Sequence, residues 1–165
     1  MDELLDLVDF NDQIIGTKLR SEVYAQNLNN FRVVNLFLSN DQNQLWIPRR
    51  TASKKLFPLS LDTSMGGHVS SGESYEEALK RELQEELRIE LEQTNYKLIG
   101  QLNPHTHHTS AFMQVYLIQT NKTPNYNPND FCASYWLSPN ELLTWIKQGE
   151  PCKSDLPIIV SQLLS

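Results

Sequence analysis

Hydrophobic and polar positions follow two rhythms along this chain, and the changes between them mark its elements. Leu4–Val8 reads as a strand, followed by a turn at Asn11-Asp12 and a second short strand at Ile14-Ile15. Val33–Leu38 predicts a further strand, the polar stretch 39–43 a turn, and Gln44–Ile47 the hairpin partner. From Pro48 to Leu61 the pattern lapses into a loop that carries the cations Arg49, Arg50, Lys54 and Lys55. Strand-like residues lead into Gly66-Gly67-His68-Val69, and Ser70-Ser71-Gly72 turns the chain. Ser74-x-x-Glu77 is a capping box, which opens a helix. Tyr96–Leu102 and Phe112–Ile118 are strands, 121–130 is a loop with Pro124 and Pro128, and Phe131–Leu137 is a last strand. Ser138-Pro139-x-Glu141 caps a second helix running to about Gln148, where Gly149 stops it, and Leu156–Leu164 predicts a short terminal helix. Strands before, between and after two main helices predict an α+β or α/β sandwich.

The helix after Ser74 carries the chemistry. Leu79, Leu83 and Leu87 recur at i, i+4, i+8 and form an apolar stripe. At about 100° per residue, Glu82, Glu85 and Glu86 share one arc roughly 100° wide beside that stripe. Three neighbouring carboxylates repel one another, and a purely structural helix gains nothing from them. A divalent cation resolves the conflict, because clustered hard oxygens are what Mg²⁺ or Mn²⁺ prefers.

Composition narrows the class. The chain has 165 residues with 39% hydrophobic and 21% charged content, which suits one folded domain spanning 1–165. A net charge of −6 argues against a general nucleic-acid surface and requires a local basic patch or a metal to receive an anionic substrate. The opening MDELLDLVDF lacks the positive region of a signal peptide, and no run approaches the ~18 apolar residues of a membrane span. Cys132 and Cys152 are isolated, so reduced thiols and a cytoplasmic setting are expected, with no membrane partner.

The segment from Gly67 to Ile89 resembles the signature of the Nudix hydrolases. That signature runs Gly, five residues, Glu, seven residues, Arg-Glu-aliphatic-any-Glu-Glu-any-Gly-aliphatic. Gly67, Glu73, Arg81, Glu82, Leu83, Glu85, Glu86 and Ile89 match, whereas the second glycine is replaced by Arg88, which puts the helix end in doubt. The resemblance implies an α/β/α sandwich with a mixed sheet, and a metal held by Glu82, Glu85 and Glu86. Glu73 would support them and the Gly67 carbonyl would complete the shell. Arg81 would orient the glutamates by offsetting their repulsion.

The stretch QLWIPRRTASKKLFPLSLDTSMGGHVSSGES, with the opening VDFNDQIIGT, is similar to the isopentenyl-diphosphate isomerase branch of that superfamily. By this resemblance Arg50 and Lys54 grip a substrate diphosphate, as a guanidinium fork and a flexible ammonium can. The isomerase cysteine falls at Gly66, its acidic partner at Ala111, and two histidine ligands at Tyr24 and Phe31; His68 alone remains. Proton transfer to carbon needs an acid/base pair that is missing here. The expectation is a Mg²⁺- or Mn²⁺-dependent hydrolase of a small X-diphosphate, with Arg50, Lys54 and His68 facing the substrate. Residual isomerase activity and a non-catalytic binding module are the alternatives. His105, His107 and His108 read as a polar loop or a substrate-facing one, Trp46, Trp136 and Trp145 as core, and Phe57 as a cover for the core.

Overall fold

The computed structural model describes residues 1–165. An N-terminal hairpin of β1 (Leu4–Val8) and β2 (Ile14–Leu19) stands as its own two-stranded sheet. Its tight turn is held by Asp9, whose Oδ1 accepts from the N–H groups of Asn11 and Gln13. The other strands are β3 (Arg32–Ser39), β4 (Leu45–Arg50), β5 (Met65–His68), β6 (Lys97–Leu102), β7 (Phe112–Gln119) and β8 (Phe131–Leu137). They form one mixed sheet in the order β6-β7-β3-β4-β8, with β5 also on β3. β3 and β7 are parallel over their full lengths, and the remaining pairs are antiparallel.

Side-chain alternation on β3 sorts the two layers. Val34, Leu36 and Leu38 face α2 (Tyr75–Leu87) and pack with its Leu79, Leu83 and Leu87. Phe37, between them, faces the opposite layer, where Leu142 of α4 (Pro139–Lys147) and Leu156, Ile159 and Val160 of α5 (Asp155–Leu163) gather. Each leucine so buried contributes on the order of 2 kcal/mol. The expected α/β/α sandwich with a mixed sheet is what the chain forms.

The local signals explain the helix ends. Ser74 Oγ accepts from Glu77 N–H, and the Glu77 carboxylate accepts from Ser74 N–H, both at 3.1 Å; Ser138 and Glu141 repeat the box on α4. α2 ends at Arg88, which adopts φ 56°, ψ 38°. A left-handed cap is therefore kept without the glycine that favours it.

Several expectations are corrected. β3 and β4 do not form an extended hairpin. They pair only at Ser39↔Leu45, after which β4 turns to β8 while β5 occupies the vacated flank of β3. Ser64 bridges the split: its Oγ accepts from Leu38 N–H and donates to the Trp46 carbonyl at 2.6 Å. Arg49 and Arg50 lie at the end of β4, not in a loop. β2 is longer than Ile14-Ile15, and two short helices are added, α1 (Arg20–Ala25) and α3 (Pro104–His107). Phe57 is 40% exposed, with φ 51°, and does not cover the core.

Candidate active site

The divergence of β3 from β4 opens a cavity of about 490 Å³. β3 contributes Asn35 to its wall, β4 Arg50, β5 Gly66–His68, and α2 Glu82 and Glu86. The helix reaches the wall because its leucine stripe is buried against β3, which turns the adjacent arc toward the split.

Of the three glutamates on that arc, the fold brings two into the cavity. Glu86 accepts one hydrogen bond, from Gly66 N–H at 3.2 Å. Burial, with the nearby charges of Glu82, Asp62 and Asp130, raises its pKa well above the ordinary value. Glu82 is also pushed up, to about 7, by burial, although Arg81 Nη1 donates to it at 2.8 Å. Glu85 lies outside, its side chain 60% exposed and 3.7 Å from Arg81 Nη1. The side chains do not converge into a ready-made cage of three ligating groups. A hard divalent cation nevertheless fits: two buried carboxylates with one backbone N–H and one guanidinium between them are short of positive charge.

Arg81 is a hub. Its Nε and Nη2 donate to the two oxygens of Glu73, both at 2.8 Å, and Nη2 also donates to the His68 carbonyl. This fork holds the Glu73 carboxyl below its ordinary range, while Arg81 itself is raised above its own. Because two of its three nitrogens serve Glu73, only Nη1 is left for Glu82, and there burial outweighs it. Glu73 also accepts from Ser70 N–H at 2.8 Å, so it fixes the turn before α2 and stays off the cavity wall. Gly67 is required sterically: a Cβ there would land on the Glu82 carboxylate.

Arg50 and Lys54 both line the cavity, but neither is free. Arg50 donates from Nη1 to Asp62 at 3.0 Å and from Nε and Nη2 to the Leu56 carbonyl. Lys54 donates to Asp130 at 2.8 Å. His68 shares a 2.8 Å hydrogen bond with Tyr24, stacks on Phe31 at 5.7 Å, and is held down to about 3, first by burial and then by Arg20, Lys153 and Arg81. It is a neutral ring at neutral pH.

The other histidines do separate local work. His105 packs on Phe10, His107 Nδ1 accepts from Asn103 N–H, and His108 takes a left-handed cap of α3, at φ 63°. Trp46 is fully buried, and Trp145 stacks edge-on against Tyr135. Sequence reasoning missed Asp62, Asp130 and Lys153, because no local motif marks an acid or cation whose place is set by a distant strand.

A mixed sheet between two helical layers, with a glutamate-bearing helix over a split in the sheet, defines a Nudix-type hydrolase. The model of the NUDIX domain matches residues 29–156, and the chain belongs to that family. It is 57% identical over 154 residues to an uncharacterized Nudix hydrolase of Nostoc sp., covering 93% of this chain and 91% of that protein. A crystal structure from Deinococcus radiodurans superposes with a TM-score of 0.93 at 44% identity, covering 99% of this chain and 100% of that one. An isopentenyl-diphosphate Delta-isomerase of Photorhabdus laumondii is 24% identical over 155 residues, covering 87% of this chain and 84% of that protein.

Proposed function

We propose that this chain, acting as a single domain over 1–165, hydrolyses the diphosphate linkage of a small X-diphosphate with Mg²⁺ or Mn²⁺. The observation that carries the reading is the pairing of Glu82 and Glu86 with Arg50 and Lys54 around one cavity. Glu82 and Glu86 would hold the cation, with Glu85 swinging in from the rim and the Gly67 carbonyl beside them. The ion would supply counter-charge to phosphate oxygens and acidify water. Arg81 positions Glu82 and, through Glu73, the turn that presents Gly67. Arg50 and Lys54 would exchange their carboxylate partners for phosphate oxygens, which favours substrates carrying at least two negative charges.

An isomerase on this scaffold is disfavoured by specific contacts. The place of the isomerase thiol is Gly66, where a Cβ would meet Asn35 Oδ1 at 2.8 Å. Ala111, at the position of the acidic partner, is fully buried with Leu5, Val23 and Phe31. Tyr24 and Phe31, at the positions of two metal-binding histidines, close around His68 and leave no ligand pair. A non-catalytic module has no physical need for two buried carboxylates that share a single guanidinium. The test is a screen of diphosphate compounds with Mg²⁺ and with Mn²⁺, measuring released phosphate. Release from at least one compound is expected, and none from any would overturn the reading. Deuterium entering isopentenyl diphosphate from heavy water would revive the isomerase.

A further inference from the structure

The four cations of the cavity are not equivalent. Arg50 uses three nitrogens on Asp62 and on the Leu56 carbonyl, and Lys54 is bonded to Asp130. Arg20 lies over the Tyr24 ring at 5.6 Å. Lys153 has no hydrogen bond from its ammonium group; its nearest acid is Asp62 Oδ1 at 3.9 Å, too far for one. Asp62 is already satisfied, with Oδ2 taken by Arg50 and Oδ1 by Thr63 N–H at 2.7 Å. One carboxylate thus stands between two cations, and the Lys153 ammonium faces the cavity without a hydrogen bond, whereas the Arg20 guanidinium rests on the Tyr24 ring.

Lys153 is also built into place. Leu61 N–H donates to the Pro151 carbonyl and Lys153 N–H to the Leu61 carbonyl, both at 2.9 Å, so 151–153 pairs like a short parallel strand. Leu61 is itself fully buried and flanked by β4 through the Arg50-to-Ser60 and Asp62-to-Pro48 backbone bonds. Directly after Lys153, α5 sends Leu156 and Ile159 into the core. The backbone is therefore fixed, and only the flexible lysine stem moves.

We propose that Lys153 anchors a phosphoryl group of the substrate in the cavity that Glu82 and Glu86 line, and meets the anion ahead of Arg50 and Lys54. The inference rests on the diphosphate reading of the cavity and adds a residue outside its sequence signature. An ammonium with unengaged N–H groups can receive phosphate oxygens at once, whereas Arg50 and Lys54 must first give up a carboxylate. A strong, charge-assisted contact present in ground and transition states appears in affinity more than in turnover.

The experiment is calorimetric titration of the full chain with imidodiphosphate in Mg²⁺, whose P–N–P bridge resists hydrolysis. Lys153→Ala and Lys153→Met should each weaken binding by roughly 10-fold or more, while Lys153→Arg stays within about threefold of wild type. Lys147→Ala, in the last turn of α4, serves as the control and should leave affinity unchanged. With any hydrolysed compound, KM should rise for Lys153→Ala with kcat little changed, and the melting temperature should hold. Lys153→Ala or Lys153→Met binding as tightly as wild type overturns the proposal, as does a wild type that binds no imidodiphosphate at millimolar concentration. Lys153-dependent binding by a chain that hydrolyses no diphosphate would uphold this inference and defeat the hydrolase reading instead.

Discussion

Glu86 is buried with a single N–H for a partner, so its charge is costly to the free protein and valuable only to a bound cation. Glu86→Gln should therefore lower turnover by about 10²-fold or more, because the amide keeps the shape and loses the charge. The same change should leave metal-free stability equal or higher, which thermal melting in chelator would show. A variant with wild-type turnover would remove Glu86 from the chemistry. Gly67→Ala makes the complementary test. Its Cβ would displace the Glu82 carboxylate, which Arg81 also holds, so activity should fall while the backbone of β5 is kept. Retained activity in that variant would mean that the position of Glu82 does not matter.

At the scale of elements, α2 shows a local rule broken at small expense. Arg88 holds the left-handed cap with no glycine, and its side chain is exposed. Arg88→Gly should raise stability by about 1 kcal/mol, read as a higher melting temperature with activity unchanged. No gain would mean that Arg88 makes a compensating contact. Strand β4 shows the opposite. Arg50 ties the end of the strand to the 51–60 loop through the Leu56 carbonyl and Asp62. Arg50→Ala should therefore raise KM and also cost about 2 kcal/mol of stability, since buried Asp62 loses its partner. A higher KM with unchanged melting would confine Arg50 to substrate binding.

For the whole molecule, the two raised carboxyls set a pH dependence. Glu82 and Glu86 bind protons more tightly in the folded chain than in the unfolded one, where a glutamate titrates near 4.5. Their contribution is complete below that value and declines as pH rises, through about 7 for Glu82 and higher for Glu86. Glu82 alone could lower stability by up to about 3 kcal/mol across that window. Glu73, held low by Arg81, acts in the other direction and matters only as pH falls below 4.5. In chelator the melting temperature should fall between pH 5 and 8, Mg²⁺ should restore part of the loss at pH 8, and Glu86→Gln should flatten the profile. A flat wild-type profile would show that neither carboxyl is strained.

Much of this protein was legible from its residues because the signals are short in range. The capping boxes at Ser74 and Ser138 depend on residues three apart, the leucine stripe of α2 on the turn of one helix, and the Gly67–Ile89 spacing on a single strand-turn-helix unit. Those features determined the sandwich, the family and the acidic helix. The tertiary structure decided what depends on partners far away in the chain. Nothing near β4 announces that it leaves β3 for β8, because that choice is made by β5 and Ser64. The glutamate arc was visible, but only packing separated buried Glu82 and Glu86 from exposed Glu85. The basic loop was equally visible, yet Asp62 and Asp130 engage its cations, and the cavity ammonium without a hydrogen bond comes from Lys153, far along the chain from Arg50. Charge is written locally, but whether a charge is compensated is a property of the fold.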